Sequence, residues 1–214
     1  MKLLFKGKYE GVEQLPKADL PPHAVQFREP GTPTELGVMA ALFLLPAILL
    51  MAVIVLFSAA MHGSILMEFH IGSVLLAFAL CIAGLIPHEL LHAVNFPKEA
   101  EVELYYSIKQ GMLFVVSTAP VSKGRFIWLS LCPNLVLGWL PFLLWALFPS
   151  VPGLSTVLLL FGGMNILLGG GDYVNMYNAW RQMPKGAVTQ LSGFHSYWYL
   201  PQGEKSSEQN KTEE

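Results

Sequence analysis

Charge is what this sequence has least of, and it is missing in blocks. No Asp, Glu, Lys or Arg occurs from Leu36 through Met67, from Phe69 through Pro87, or from Phe126 through Gly171. Only 13% of the 214 residues are charged while 53% are hydrophobic, and the mean hydropathy is +0.49. That balance is too apolar for an ordinary soluble domain, and uncharged apolar blocks on the order of 20 residues are read as bilayer spans. Cysteine is nearly absent as well. Cys81 and Cys132 lie in different apolar blocks without CxxC spacing, so they are read as buried thiols with no redox task. A net charge of -2 leaves no basic surface. With neither a nucleotide-binding glycine motif nor a basic stripe interleaved with aromatics, nucleic acid is not expected as a partner. The start, Met1 to Lys8, has basic residues but no apolar core and no small-residue cleavage site. No removed signal is expected, and the internal spans carry the targeting.

The expected fold class is an all-α membrane protein of about four transmembrane helices, with a β-hairpin between the second and third. Residues 1–35 are polar and proline-rich and read as an extended cytoplasmic leader, holding at most one strand pair near Leu3 to Val12 around Gly7 and Gly11. Residues 36–200 form the membrane domain, with spans at about 36–61, 71–95, 126–148 and 154–170. Pro46 falls inside the first span, where neighbouring helices can accommodate a kink. The last charge-free block is too long for one span, and Phe148-Pro-Ser-Val-Pro-Gly153 is its turn. Residues 101–118 read as two strands around Lys109-Gln110-Gly111. The aromatic residues after Asp172 suit a headgroup layer, and residues 201–214 read as a disordered tail.

Four spans put both termini on one side. The leader, the middle loop and the tail hold all the Lys and Arg, whereas residues 62–70 and 149–152 hold none. By the positive-inside rule the termini and the hairpin are cytoplasmic, in a multi-pass protein of the cell membrane.

The chemistry is concentrated at His88-Glu89-Leu90-Leu91-His92, at the end of the second span. On a helix, residues four apart lie one above the other, so His88 and His92 can bind one metal ion while Glu89 sits beside them as a base. Zinc suits a site of three protein ligands with the fourth position left for water. Among downstream carboxylates, Glu99, Glu101 and Glu103 alternate like solvated strand residues, and four others belong to the tail. Asp172 alone ends an apolar span, and the topology returns it to the same depth as His92; His195 is the substitute ligand. Ionisable groups in a span are costly enough to need a reason. Gly169-Gly170-Gly171 is expected to loosen the helix and let the carboxylate turn toward the metal. Asn165, seven residues before Asp172, lies on the same helical side and is a candidate for holding substrate. It and Asn134 also suit plain interhelical hydrogen bonding.

With these residues placed, the chain resembles the bacterial putative zincin peptidase family of small integral-membrane proteins, and more distantly the site-2-type intramembrane metalloproteases. The resemblance covers most of the chain and rests on Pro87-His-Glu-Leu-Leu-His-Ala93, Ala119-Pro-Val-Ser-Lys-Gly-Arg-Phe126, Gly171-Asp172 and Met183-Pro-Lys-Gly186. It implies a peptidase. In site-2-type enzymes the third ligand is an Asp in a motif with Asn and Pro upstream and Gly after it. Here no Pro lies between Asn165 and Asp172, and Tyr173 follows. The expected function is a membrane-embedded, zinc-dependent endopeptidase. Its ligands are His88, His92 and Asp172, its base is Glu89, and its substrate is a membrane protein or peptide met at the bilayer's cytoplasmic face. The hairpin would present that substrate by strand addition. The alternative is a non-catalytic membrane metal-binding or adaptor protein that retains the fold.

Overall fold

The structure, a computed structural model, describes residues 1–29, 33–63, 70–149, 151 and 153–201. The expected disordered tail at 201–214 lies, beyond Pro201, outside the described residues. The chain divides into two compact units: Met1–Glu29, Ala93–Trp128 and Tyr177–Glu214 in one, Pro30–His92 and Leu129–Met176 in the other.

The second unit is helical. Helix α1 (Pro33–His62) and helix α2 (Ile71–Val94) keep their α-helical course through Pro46 and Pro87. Helix α3 (Lys123–Pro133) passes into a π-helical segment, Asn134–Trp139, and then into α4 (Leu140–Leu147). The π segment lies between Pro133 and Pro141, two residues that bring no N–H to the helix, and a widened turn is one way a helix re-satisfies the groups so freed. Helix α5 (Leu154–Leu168) is followed by α6 (Gly170–Gln182) at a bend of 48°. Among the described residues, three helical stretches are long and apolar enough to cross a membrane, and four if the bent pair counts as one span.

Phe142, Trp145 and Ile166 form the buried centre of this unit, with Ala47, Ala146 and Tyr173 around them. Glycine brings two helices close there. A Cβ at Gly162 would lie 2.6 Å from the Phe142 nitrogen, and one at Gly138 would lie 2.9 Å from Ile166 Cγ1. Small residues let helix backbones approach this closely, and buried polar bonds add to the contact. Ser58 Oγ supplies one of the latter, donating to the Ala146 carbonyl at 2.9 Å.

The first unit holds more strand than the all-α expectation allowed. The hairpin appears as β3 (Glu101–Ser107) and β4 (Met112–Val116), turning through Gly111 at φ 62°. The strand pair expected within the leader does not form. Instead β1 (Lys2–Lys8) joins β3 in parallel, making a sheet of order β1-β3-β4. Gly7, at φ 85°, marks a slip in that register rather than a turn. Lys2 and Lys6 reach Glu101 and Glu103 at 2.8 and 3.1 Å.

A second sheet, of order β2-β7-β6-β5, joins β2 (Val25–Gln26), β5 (Val121–Ser122), β6 (Val188–Ser192) and β7 (His195–Tyr199). The two-residue β6–β7 loop opens on Gly193 at φ 61°, where glycine is the residue a tight hairpin turn wants. Phe27, Ala179, Met183 and Ala187 form one buried cluster of this unit. Lys123 Nζ donates to the carbonyls of Trp180 and Met183, tying off the end of α6.

Candidate metal centre

Three elements of the helical unit supply the site: the last turns of α2, the junction of α3 with the π segment, and the first turn of α6. His88 and His92 are one helical turn apart on α2, and their rings meet edge to face with centroids 4.9 Å apart. Their Nε2 atoms lie 3.2 Å from each other. Asp172 closes the triangle, with Oδ2 3.3 Å from His88 Nε2 and Oδ1 3.3 Å from His92 Nε2. One donor atom from each of the three residues lies within 4.8 Å of the others. All three side chains are mostly buried.

These distances can be tested against zinc. Bonds from zinc to imidazole nitrogen and carboxylate oxygen run about 2.0 to 2.2 Å, so the edge of a tetrahedron built on them is about 3.3 to 3.6 Å. The Nε2–Nε2 spacing of 3.2 Å and the 3.3 Å from each carboxylate oxygen to its own imidazole come close to such an edge, each oxygen serving one histidine. The donor set fits too, since two neutral imidazoles and one carboxylate are a recognised zinc combination.

Tautomer is decided by a neighbour. His92 Nδ1 lies 2.9 Å from the Leu129 carbonyl oxygen, which can only accept, so Nδ1 carries the proton and Nε2 presents its lone pair to the centre. That carbonyl is free for a reason visible in the sequence. In an α-helix the N–H four residues on would bond to it, and residue 133 is proline, which has none. The next residue, Asn134, is fully buried and donates from Nδ2 to Asp172 Oδ2 at 2.7 Å. At the other end of the π segment, Trp139 Nε1 donates to the Tyr173 hydroxyl at 3.1 Å. Both ends of the widened turn therefore hold consecutive residues of α6.

Glu89 follows His88 on α2 and is half-buried. Asp172 lies just past the end of the apolar helix α5. It sits in the first turn of α6, where the helix dipole favours a carboxylate. The glycine run ends α5 at a 48° bend, as expected, but not through a conformation that only glycine adopts. Gly169 has φ -75° and ψ 12°, open to any residue, and no glycine of the run has positive φ. What it provides is room, because a Cβ at 169 would land on the Asn134 carboxamide.

Asn165 is buried in α5, and its Nδ2 donates to the Phe161 carbonyl at 2.8 Å and reaches Cys81 Sγ at 3.9 Å. It is not one of the three residues that converge. His195, the substitute ligand, stands in β7 with Nδ1 3.7 Å from Glu29 Oε2, also outside the group. Sequence reasoning passed over Asn134 as a site residue. The available signal was its place directly after a proline in the middle of an uncharged apolar run.

No curated protein and no solved structure matches the chain. A family model described as "Putative zincin peptidase" matches residues 81–188, half of the chain and a range that includes His88, Glu89, His92, Asn134 and Asp172. The chain belongs to that putative zincin peptidase family.

Proposed function

We propose that this protein is a zinc-dependent endopeptidase of the cell membrane. It crosses the bilayer several times with both termini in the cytoplasm, and it cleaves membrane-associated proteins or peptides near the cytoplasmic face. One observation carries the reading: His88 Nε2, His92 Nε2 and the Asp172 carboxylate converge at 3.2 to 3.3 Å, with Glu89 next to the first ligand. Family membership supports it.

Zinc held there supplies a Lewis acid for the scissile carbonyl and lowers the pKa of a coordinated water toward about 7. The protein's own groups divide the remaining work. His88 and His92 would present unprotonated Nε2 atoms to the ion, and Asp172 would bring the one negative charge among the ligands. Glu89 accepts a proton as water adds to the carbonyl carbon, then delivers it to the amine nitrogen as the C–N bond breaks. The apolar helices around the site limit access of bulk water, which strengthens each of these electrostatic contacts.

Glu89→Gln tests the proposal, because it removes the base and leaves the ligands. Membranes from cells producing wild type or E89Q would be compared by mass spectrometry of protein termini, and zinc would be measured in both purified proteins. New termini present only with wild type, at equal zinc content, are the expected result. Identical termini would overturn the peptidase reading and favour a metal-binding protein without catalysis.

A further inference from the structure

We propose that Asn134 is a positioning residue of the metal centre, a carboxamide built into the helix interior to fix the Asp172 carboxylate, in a niche that Gly169 keeps open. The inference rests on the reading of His88, His92 and Asp172 as ligands and goes beyond it to the group that holds the third of them.

Three features of Asn134 separate it from ordinary interhelical glue. It is only 1% exposed, and its Nδ2 donates to Asp172 Oδ2 at 2.7 Å, a short bond to a charged acceptor. Its Oδ1 is buried without a hydrogen-bond partner. Leaving a buried acceptor unsatisfied is costly, so a side chain chosen for stability alone would be apolar. Turning the amide over would place Oδ1 against Asp172 Oδ2, acceptor facing acceptor, so the carboxylate dictates the orientation. Finally, the position where Gly169 would carry a Cβ is occupied by the carboxamide itself. Since the backbone at 169 is open to any residue, space for the amide is the reason for glycine there.

The effect on the centre follows from chemistry. Asp172 is the one ligand whose donor atoms can exchange by rotation about χ2, and both of its oxygens stand 3.3 Å from an imidazole nitrogen. A donor anchored on Oδ2 stops that rotation and biases Oδ1 toward the metal. Partners of this kind, one step out from the ligands, are typically worth roughly 10- to 100-fold in metal affinity or activity.

The experiment titrates detergent-solubilised, metal-free full-length protein with Zn2+ alone and with Co2+ alone. It uses wild type, Asn134→Leu, Asn134→Ala, Gly169→Ala and the Asn134→Ala/Gly169→Ala pair. Asn134→Leu keeps the volume filled. It is expected to bind roughly 10- to 100-fold more weakly, with altered visible bands in the cobalt form and an unchanged melting temperature of the metal-free protein. Gly169→Ala is expected to show a similar loss by evicting the amide. In the pair, the alanine Cβ enters space already vacated, so its affinity should match that of Asn134→Ala. Wild-type affinity and cobalt bands in Asn134→Leu would overturn the proposal, as would losses that multiply in the pair. If wild type itself bound neither ion, the metal centre would fall first and the positioning role with it.

Discussion

Two apolar helical stretches of nearly equal length treat their prolines differently. Gly37–His62 has 26 residues and Lys123–Leu147 has 25. The first contains Pro46 and stays α-helical throughout, with Leu42, Leu49 and Leu56 each more than half exposed along one side. The second contains Pro133 and Pro141, widens into a π segment between them, and buries Asn134, Phe142 and Trp145 almost completely. The exposed helix presents apolar side chains on its surface, and its proline has no charged or metal-binding neighbour in sequence. The buried one turns its irregularity outward to other side chains: Pro133 leaves the Leu129 carbonyl to His92, and Asn134 reaches Asp172. Irregular turns at functional sites are common for this reason, since a broken ladder is where backbone groups become available.

The largest expected effect tests whether the second stretch is organised around a metal at all. Asp172→Ala and His88→Ala should each lose nearly all retained zinc after dialysis, measured by elemental analysis of the purified proteins. Leu49→Ala in the exposed helix should retain as much as wild type. Equal retention in all of them would leave the His–His–Asp triangle as a polar cluster only. A smaller effect separates the two stretches by packing. Gly162→Ala places a Cβ against the backbone of Phe142, and overpacking of that kind costs about 1 to 3 kcal/mol. Leu49→Ala, at a surface position, should stay within about 0.5 kcal/mol. Melting temperatures in one detergent would show the contrast, and a Gly162→Ala protein as stable as wild type would contradict the close approach.

How much of this was legible in the sequence differs by the range of the interaction. His88, Glu89 and His92 are readable because a helix converts fixed spacing into a shared face. Asp172 is reachable because carboxylates are scarce in the apolar blocks. The β3–β4 hairpin is readable from its local turn, Lys109-Gln110-Gly111. What escaped was long-range or locally disguised. The parallel pairing of β1 with β3 joins residues about 100 positions apart, Lys2 with Glu101, and leaves no local pattern. Helix α6 begins in two glycines and continues through polar and aromatic residues, a composition that reads as a loop. Asn134 looks like any polar residue between helices until its partner is known. Gly169 was read for backbone freedom, whereas the contact across the helix pair is what requires it.

The smallest of the expected effects bears most directly on the comparison between the prolines. Pro133→Ala restores an N–H four residues after the Leu129 carbonyl, and that donor would compete with His92 Nδ1–H for the same oxygen. His92 would then be freer to rotate or to shift its proton to Nε2, the atom that must stay bare to bind a metal. The expected loss is about 10-fold in zinc affinity, about 1.4 kcal/mol, at the low end of what such outer partners contribute. Pro46→Ala also restores an N–H inside an apolar helix, but no ligand depends on the carbonyl it would reclaim, so zinc affinity should not move. Competition with a chromophoric chelator measures both. If the two variants bind zinc alike, the freed carbonyl at Leu129 is a by-product of the helix break. If only Pro133→Ala weakens binding, the proline is there because a histidine needs the carbonyl it releases.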